Sequence, residues 1–170
     1  MNRSPVVVAS GGHFVPAEAP LVCSEEEFVC HADCPDPLLN QHFEQYIRDI
    51  DVRFDASEVE VSIVNPEYGF VASSDSALLL HRTATSGGWS GASVVGYYNT
   101  PGAVCIADEH QGQGLGAELI LWTAINFTAG PPTEGLDEQC FSEAGYAAHL
   151  AAWRLGVERG LIVDGEYSVN

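Results

Sequence analysis

Residues 106–116 read IADEHQGQGLG and run directly into AELILWTAI at 117–125. An apolar lead-in is followed by four polar residues, and glycine then takes every second position until an aliphatic helical pattern begins. Glycines at 112, 114 and 116 leave backbone amides bare at the start of a helix, where first-turn N–H groups lack partners and the helix dipole is positive. A phosphate is the natural guest of such a terminus. The same spacing also suits a tight turn that brings helix and sheet close together. Either way the stretch is a strand–loop–helix junction, and that requires a fold with both α and β elements.

Upstream of the junction the chain is β-prone. Residues 58–64 alternate as EVEVSIV, and residues 68–72, 77–82, 93–98 and 103–107 are further short strand-like runs separated by Asn, Gly, Ser and Pro turns. Consecutive short strands with tight turns predict an antiparallel meander. Before it, PLLNQHFEQYIRDID at 37–51 carries Leu38, Leu39, Phe43, Tyr46, Ile47 and Ile50 at helical spacing, with Asp36 and Pro37 as the start signal. Downstream, the helical pattern from Gly114 runs to about residue 128, a GPPTEG loop follows, and FSEAGYAAHLAAWRLGVERG at 141–160 predicts a second long helix before a closing strand, LIVDG, at 161–165. Residues 1–35 read as irregular, with one short apolar run at 6–9. No internal repeat or low-complexity linker divides the chain, so residues 1–170 are expected to form a single domain.

At 170 residues and 46% hydrophobic composition the chain is long enough for one core. No run approaches the roughly 20 apolar residues that span a bilayer, and the apolar segment near the start is too short for a secretory signal, so a cytoplasmic protein without membrane association is expected. Twenty-four acidic residues oppose six basic ones, giving a formal net charge of -18. All six basic residues are arginine; lysine is absent. Such a surface repels nucleic acid, whose binding depends on cationic contacts with phosphate. It attracts cations: an amine, a polyamine or a basic protein. Solubility, a salty habitat or a base-composition bias accounts for the charge equally well.

Five cysteines argue against a fully paired disulfide framework. Cys23, Cys30, His31 and Cys34 are soft ligands close in sequence, but Cys23 lies seven residues before Cys30 and His31 is its immediate neighbour. Zinc sites draw ligand pairs two to four residues apart from two separate segments. Free thiols and no metal are therefore expected.

Three phosphate-binding patterns compete for the glycine stretch. The nucleoside-triphosphate loop needs a lysine, and the chain has none. The dinucleotide fingerprint can be laid onto Gly112, Gly114 and Ala117, but its first glycine belongs almost directly after the strand, and the acid about 20 residues on falls here in the Pro-Pro loop. The third pattern is in register. IADEHQGQGLGAELI resembles motif A of the GNAT family of N-acetyltransferases, which has a strand end, then P-E-aromatic, then Gln or Arg, Gly, any residue, Gly, Leu or Ile, Gly, and an aliphatic helix. Glu109, His110, Gln111, Gly112, Gln113, Gly114, Leu115, Gly116 and Leu119 match; Asp108 stands where proline is common, and Gln113 where Lys or Arg is common. The resemblance is specific over residues 92–126 and topological elsewhere.

It implies a GNAT-like α/β domain with a mostly antiparallel central sheet flanked by helices, and transfer of an acetyl group from acetyl-CoA to an amine, polyamine or basic protein. It implies that Ile106, Ala107, Gln111, Gly112, Gln113, Gly114, Leu115, Gly116 and Ala117 hold the coenzyme, the loop amides gripping its pyrophosphate. The family also has a further strand after the loop helix, where this chain has AGPPTEGLDEQCF at 129–141 and no predicted strand. The catalytic acid is sought on the second helix, at Tyr146 or His149, both of which also suit surface or packing roles. His110 and His81 are candidates to carry the proton away, and Arg82, Arg154 and Arg159 are candidates for the 3'-phosphate. The alternative from another class is a non-catalytic acidic protein on the same scaffold, binding basic partners or mimicking nucleic acid.

Overall fold

The computed structural model describes residues 19–29, 47–49, 61–72, 76–84, 88–99, 103–126, 130–132 and 142–168. Near the start lie strand β1 (Leu21–Val22) and a single helical turn, α1 (Glu25–Phe28). The main sheet follows as β2 (Ser62–Ile63), β3 (Tyr68–Ala72), β4 (Ser76–His81), β5 (Ser93–Asn99) and β6 (Ala103–Ile106), antiparallel throughout and hydrogen-bonded in chain order. This is the expected meander. Two helices, α2 (Leu115–Asn126) and α3 (Glu143–Glu158), and a last short strand, β7 (Ile162–Val163), complete the described chain.

The sheet is covered on both faces, which is why its strands read as apolar runs rather than clean alternations. Tyr68, Phe70, Ala77, Leu79, Val95 and Tyr98 join the core shared with α2 and Ala152 of α3. Val71, Leu78, Leu80, Val94 and Tyr97 point the other way, into a second cluster with Ile47 and Val61. On β5 the inward positions on each face are three residues apart because the pairing with β4 slips between Leu79 and Leu80. Such a bulge inserts one residue and increases the local twist. Gly96 sits beside it, and a Cβ there would lie 2.8 Å from Ile106 Cδ1 and 2.9 Å from the Cys105 carbonyl oxygen.

The second helix buries Leu115, Leu119, Ile120, Leu121, Trp122 and Ala124, an almost wholly apolar element held between the sheet and α3. Ser142 caps α3 by accepting the Gly145 N–H at 3.1 Å. At its far end Gly156 lets the helix approach Ile162 and Leu121 with no room for a side chain.

Two expectations are corrected. The segment 1–35 is not irregular throughout: Ser24 and Glu27 form a reciprocal capping box that starts α1, and Phe28 is fully buried. Nor does the closing strand cover 161–165. Its two residues pair in parallel with β1, Leu21 opposite Ile162 and Val22 opposite Val163, forming a separate small sheet. Glu27 locks this corner by accepting the Tyr167 N–H at 3.1 and 3.0 Å through its two carboxylate oxygens. Of the helix expected over 37–51, residues 47–49 are described and are helical; the rest of that helix, the apolar run at 6–9 and most of 129–141 lie outside the described residues. No helix among the described residues is long and apolar enough to cross a membrane.

Candidate functional site

β6 is the last strand of the main sheet, with β5 on one side and no strand on the other among the described residues. Beyond Ile106 the Ala107 N–H still donates to Val95 O at 2.8 Å, and the chain then makes one 3-10 turn, Asp108–His110. The Gln111 side chain braces that turn, its amide nitrogen donating to Ile106 O at 2.8 Å and to Asp108 Oδ1 at 3.0 Å. The Gln111 main-chain N–H donates to Asp108 O at 3.2 Å. Gln111 therefore spends both its side chain and its amide on shaping the loop.

The glycines follow. Gly112 and Gly114 have φ of 77° and 76°, the left-handed region that favours glycine. A Cβ at either would meet nothing within 4 Å, so their need for glycine is conformational and the space over them is open. The first backbone bond of the helical region runs from the Glu118 N–H to Gly114 O at 3.2 Å. The N–H groups of residues 112–117 have no acceptor among the described residues. Gly116 differs: a Cβ there would rest 3.9 Å from Ile106 Cγ1, an ordinary contact, so the tight-packing explanation is weak at that position.

Carboxylates flank the loop, and two of them, Asp108 and Glu118, have compensating partners. Asp108 accepts from Gln111, as above. Glu118, in the first turn of α2, is gripped by both guanidinium nitrogens of Arg159, at 2.7 and 2.5 Å. That pairing removes most of the repulsion Glu118 would exert on an anion at the helix start. Arg159, a candidate for the 3'-phosphate, is thus occupied one turn into the helix. Arg82 is occupied too, donating to Pro66 O at 2.9 Å and Gly88 O at 3.2 Å while stacking 4.2 Å over the Trp89 ring. Arg154 is exposed on α3.

Around the loop the fold assembles a cluster that no single stretch of sequence contains. Tyr68 of β3 and His81 of β4 are directly opposite in the sheet register. Their rings are 4.9 Å apart, and His81 lies 4.7 Å from the ring of His110. The Tyr68 hydroxyl is 2.8 Å from His110 Nδ1, and the Gln113 side-chain amide donates to the same hydroxyl at 3.2 Å. Burial lowers the His110 pKa from its ordinary value; the neighbouring His81 adds to the lowering and Glu109 opposes it. The two leading effects thus disfavour the charged imidazole. Sequence reading singled out His81 and His110 but missed Tyr68, which is 42 residues from its partner and has no local signal beyond lying in a strand.

Helix α3 separates the two catalytic candidates it carries. Tyr146 is half-buried against the main core. His149 is 0% exposed, hydrogen-bonded through Nε2 to the Tyr98 hydroxyl at 2.9 Å and through Nδ1 to the Gly145 carbonyl at 2.7 Å. Because a carbonyl can only accept, Nδ1 carries the proton and Nε2 accepts from Tyr98. Burial pushes this histidine down to about 4. Neutral, doubly bonded and sealed in the core, His149 has the environment of a structural residue. Of the four clustered soft ligands, Cys30, His31 and Cys34 lie outside the described residues; Cys23 is fully buried, and burial, with Glu27 and Asp164 nearby, pushes its thiol up to about 12.

Protein-family models, curated proteins and solved structures yield no match to this chain.

Proposed function

We propose that the protein is an acyl-CoA-dependent N-acetyltransferase that seats the coenzyme pyrophosphate on the loop after β6. The observation that carries this reading is the row of amides at 112–117, without acceptors among the described residues, at the start of α2, shaped by two left-handed glycines. Amides at a helix start bind anions without needing a cationic side chain, which suits a chain of net charge -18 that has no lysine. Residues Ile106 and Ala107 lead from β6, whose outer edge has no partner strand among the described residues, into the loop, where, by the GNAT resemblance, the pantetheine arm would run alongside. Gln111 supports this site from behind, and Gly112, Gln113, Gly114, Leu115, Gly116 and Ala117 face the ligand with their N–H groups. An amine acceptor would then attack the thioester carbonyl from a neighbouring position, and the acidic surface would draw in the ammonium form of that acceptor. His149 drops out of the catalytic set for want of access.

Calorimetric titration with acetyl-CoA, with NADH and ATP as controls, tests the reading. Micromolar binding of acetyl-CoA alone supports it. Binding of NADH alone would move the assignment to a dinucleotide enzyme. Binding of none of the three would leave the acidic surface as the dominant feature and favour the second reading, a non-catalytic binder of basic partners, to be pursued by pull-down across a salt series.

A further inference from the structure

The glycine loop is fixed at both ends. The Gln111 side chain ties its start to Ile106 O and Asp108, and the buried Leu115 plugs its end into the main core. Between them Gly112, Gln113 and Gly114 are exposed, and the two glycines have left-handed backbone with open space around them. Glycine visits the left- and right-handed regions about equally readily, so these two residues do not by themselves hold the N–H groups of 113 and 114 in one direction. Among the described residues one hydrogen bond ties the middle of this stretch to the sheet, from the Gln113 side-chain amide to the Tyr68 hydroxyl at 3.2 Å. Tyr68 is a firm post for it. The residue is buried on β3 within the main core, its ring lies 4.9 Å from that of His81 and 5.7 Å, edge-on, from that of His110, and its hydroxyl is 2.8 Å from His110 Nδ1. A hydroxyl oxygen has two lone pairs, so it takes the Gln113 N–H whichever way the proton lies between Tyr68 and His110.

We propose that Tyr68 is a positioning residue for the anion loop: through the Gln113 side chain it holds the peptide units on either side of residue 113 in the orientation that turns their N–H groups toward the coenzyme pyrophosphate. The proposal rests on the acyl-CoA reading above. Tyr68 touches no ligand itself and acts through Gln113. A pin at residue 113 is effective because its two neighbours are the conformationally free ones, and its own main-chain N–H belongs to the row of amides without acceptors among the described residues. The Gln113 side chain is bonded back to the sheet, so this position offers the ligand a neutral main-chain N–H and no side-chain charge. A site binds more tightly when its donors stand in the bound arrangement before the ligand arrives, because the ordering cost is then met in folding rather than in binding. The loop glycines give the amides their reach, and Tyr68, 45 residues away in the chain, fixes their aim.

The experiment has two arms on the full chain, with Gln113→Met, Tyr68→Phe and the double variant, each checked for folding by circular dichroism. Met keeps the length and the main-chain N–H of Gln113 and removes only the side-chain donor; on the surface it tests the pin even if Tyr68→Phe fails to fold. In the first arm nitrogen-15 relaxation of the ligand-free protein is expected to give order parameters of about 0.85 at residues 112–114 in the wild type and below about 0.6 in Gln113→Met, with the amides of β4 unchanged. In the second, calorimetry with acetyl-CoA is expected to show about three- to tenfold weaker binding for either single variant, the scale of one hydrogen bond, and no further loss in the double variant. A Gln113 side chain that instead contacted the coenzyme directly would give losses that multiply in the double variant. Multiplying losses, or loop order and affinity both unchanged in Gln113→Met, would overturn the proposal. No binding by the wild type would overturn the acyl-CoA reading and the coenzyme part of this proposal, whereas loss of order at 112–114 in Gln113→Met would still establish the pin.

Discussion

The Tyr98 hydroxyl, on the interior strand β5, reaches 2.9 Å to Nε2 of His149 on α3, and the other ring nitrogen donates to Gly145 O at 2.7 Å. One side-chain pair therefore ties sheet to helix through the middle of the main core, where burial disfavours the charged imidazole.

Acid should test that bond first. The folded protein holds His149 down at about 4, below the value near 6.5 of an unfolded chain. The unfolded state therefore binds a proton that the folded state refuses, so this residue's contribution is fully present above about pH 6.5 and is lost as pH falls toward 4, by an amount on the order of 3 kcal/mol. Urea unfolding from pH 7 to pH 4 should show a steeper loss of stability in the wild type than in His149→Gln. Tyr98→Phe, which removes the hydroxyl donor from a buried acceptor, should cost about 1–3 kcal/mol at pH 7.

Gly114→Val should abolish acetyl-CoA binding with the fold retained. Its Cβ meets nothing within 4 Å, so no clash arises, but φ of 76° resists any β-branched residue. The expected penalty is about 1–2 kcal/mol of stability, together with a rotated loop that no longer aims its amides at one point. Circular dichroism and calorimetry on the same sample separate the two effects; undiminished affinity in a folded variant would remove the loop from the binding site.

Gly96→Ala should be costly although Ala suits a strand better than Gly. The new methyl would press on the Cys105 carbonyl, which is sheet backbone and cannot swing away, as well as on Ile106. Overpacking of this kind costs about 1–3 kcal/mol, and the strand displaced is β6, which leads into the loop. A fall in both thermal midpoint and acetyl-CoA affinity is the expected result.

The Arg159–Glu118 pair should matter more for ligand than for stability. Its side chains are 44% and 26% exposed, so its stabilisation is limited to about 0.2–1 kcal/mol. Arg159→Gln, however, leaves the Glu118 charge uncompensated at the start of α2. Coenzyme affinity should fall several-fold, while Glu118→Gln in the same background restores it; a double-mutant cycle by calorimetry gives the coupling.

The corner near the chain ends has a local readout. Hydrogen bonds from Ser24 hold the Glu27 carboxyl below its ordinary value against the opposing effect of burial, and the Tyr167 N–H adds to the lowering. Its contribution is therefore present above the unfolded value near 4.5 and is lost as pH falls through the folded one. In Glu27→Ala the Tyr167 amide should exchange with deuterium much faster while amides of β4 remain protected, because the lock is peripheral to the main sheet.

How far the sequence alone reached is clearest at individual residues. Local chemistry was enough wherever the cause was local: glycines at 112, 114 and 116 announced a strand–loop–helix junction, and punctuated apolar runs announced the meander. The sequence also set the charge, since a net charge of -18 is a property of composition. What tertiary structure decided was every relationship between residues distant in the chain. His149 reads as a polar position on an alanine-rich helix and is in fact sealed in the core, because burying a neutral imidazole is tolerable only when a hydroxyl from another element is in reach to satisfy it. Tyr68 carries no motif, yet strand register sets it against His81 and the turn after β6 brings His110 to its hydroxyl. The terminal strand gives no hint that its partner is β1 rather than the main sheet. Periodicity and turn chemistry determine which elements form, because those depend on neighbours along the chain; which side chains meet depends on how buried faces and polar groups are satisfied together, and that is settled only when the whole core closes.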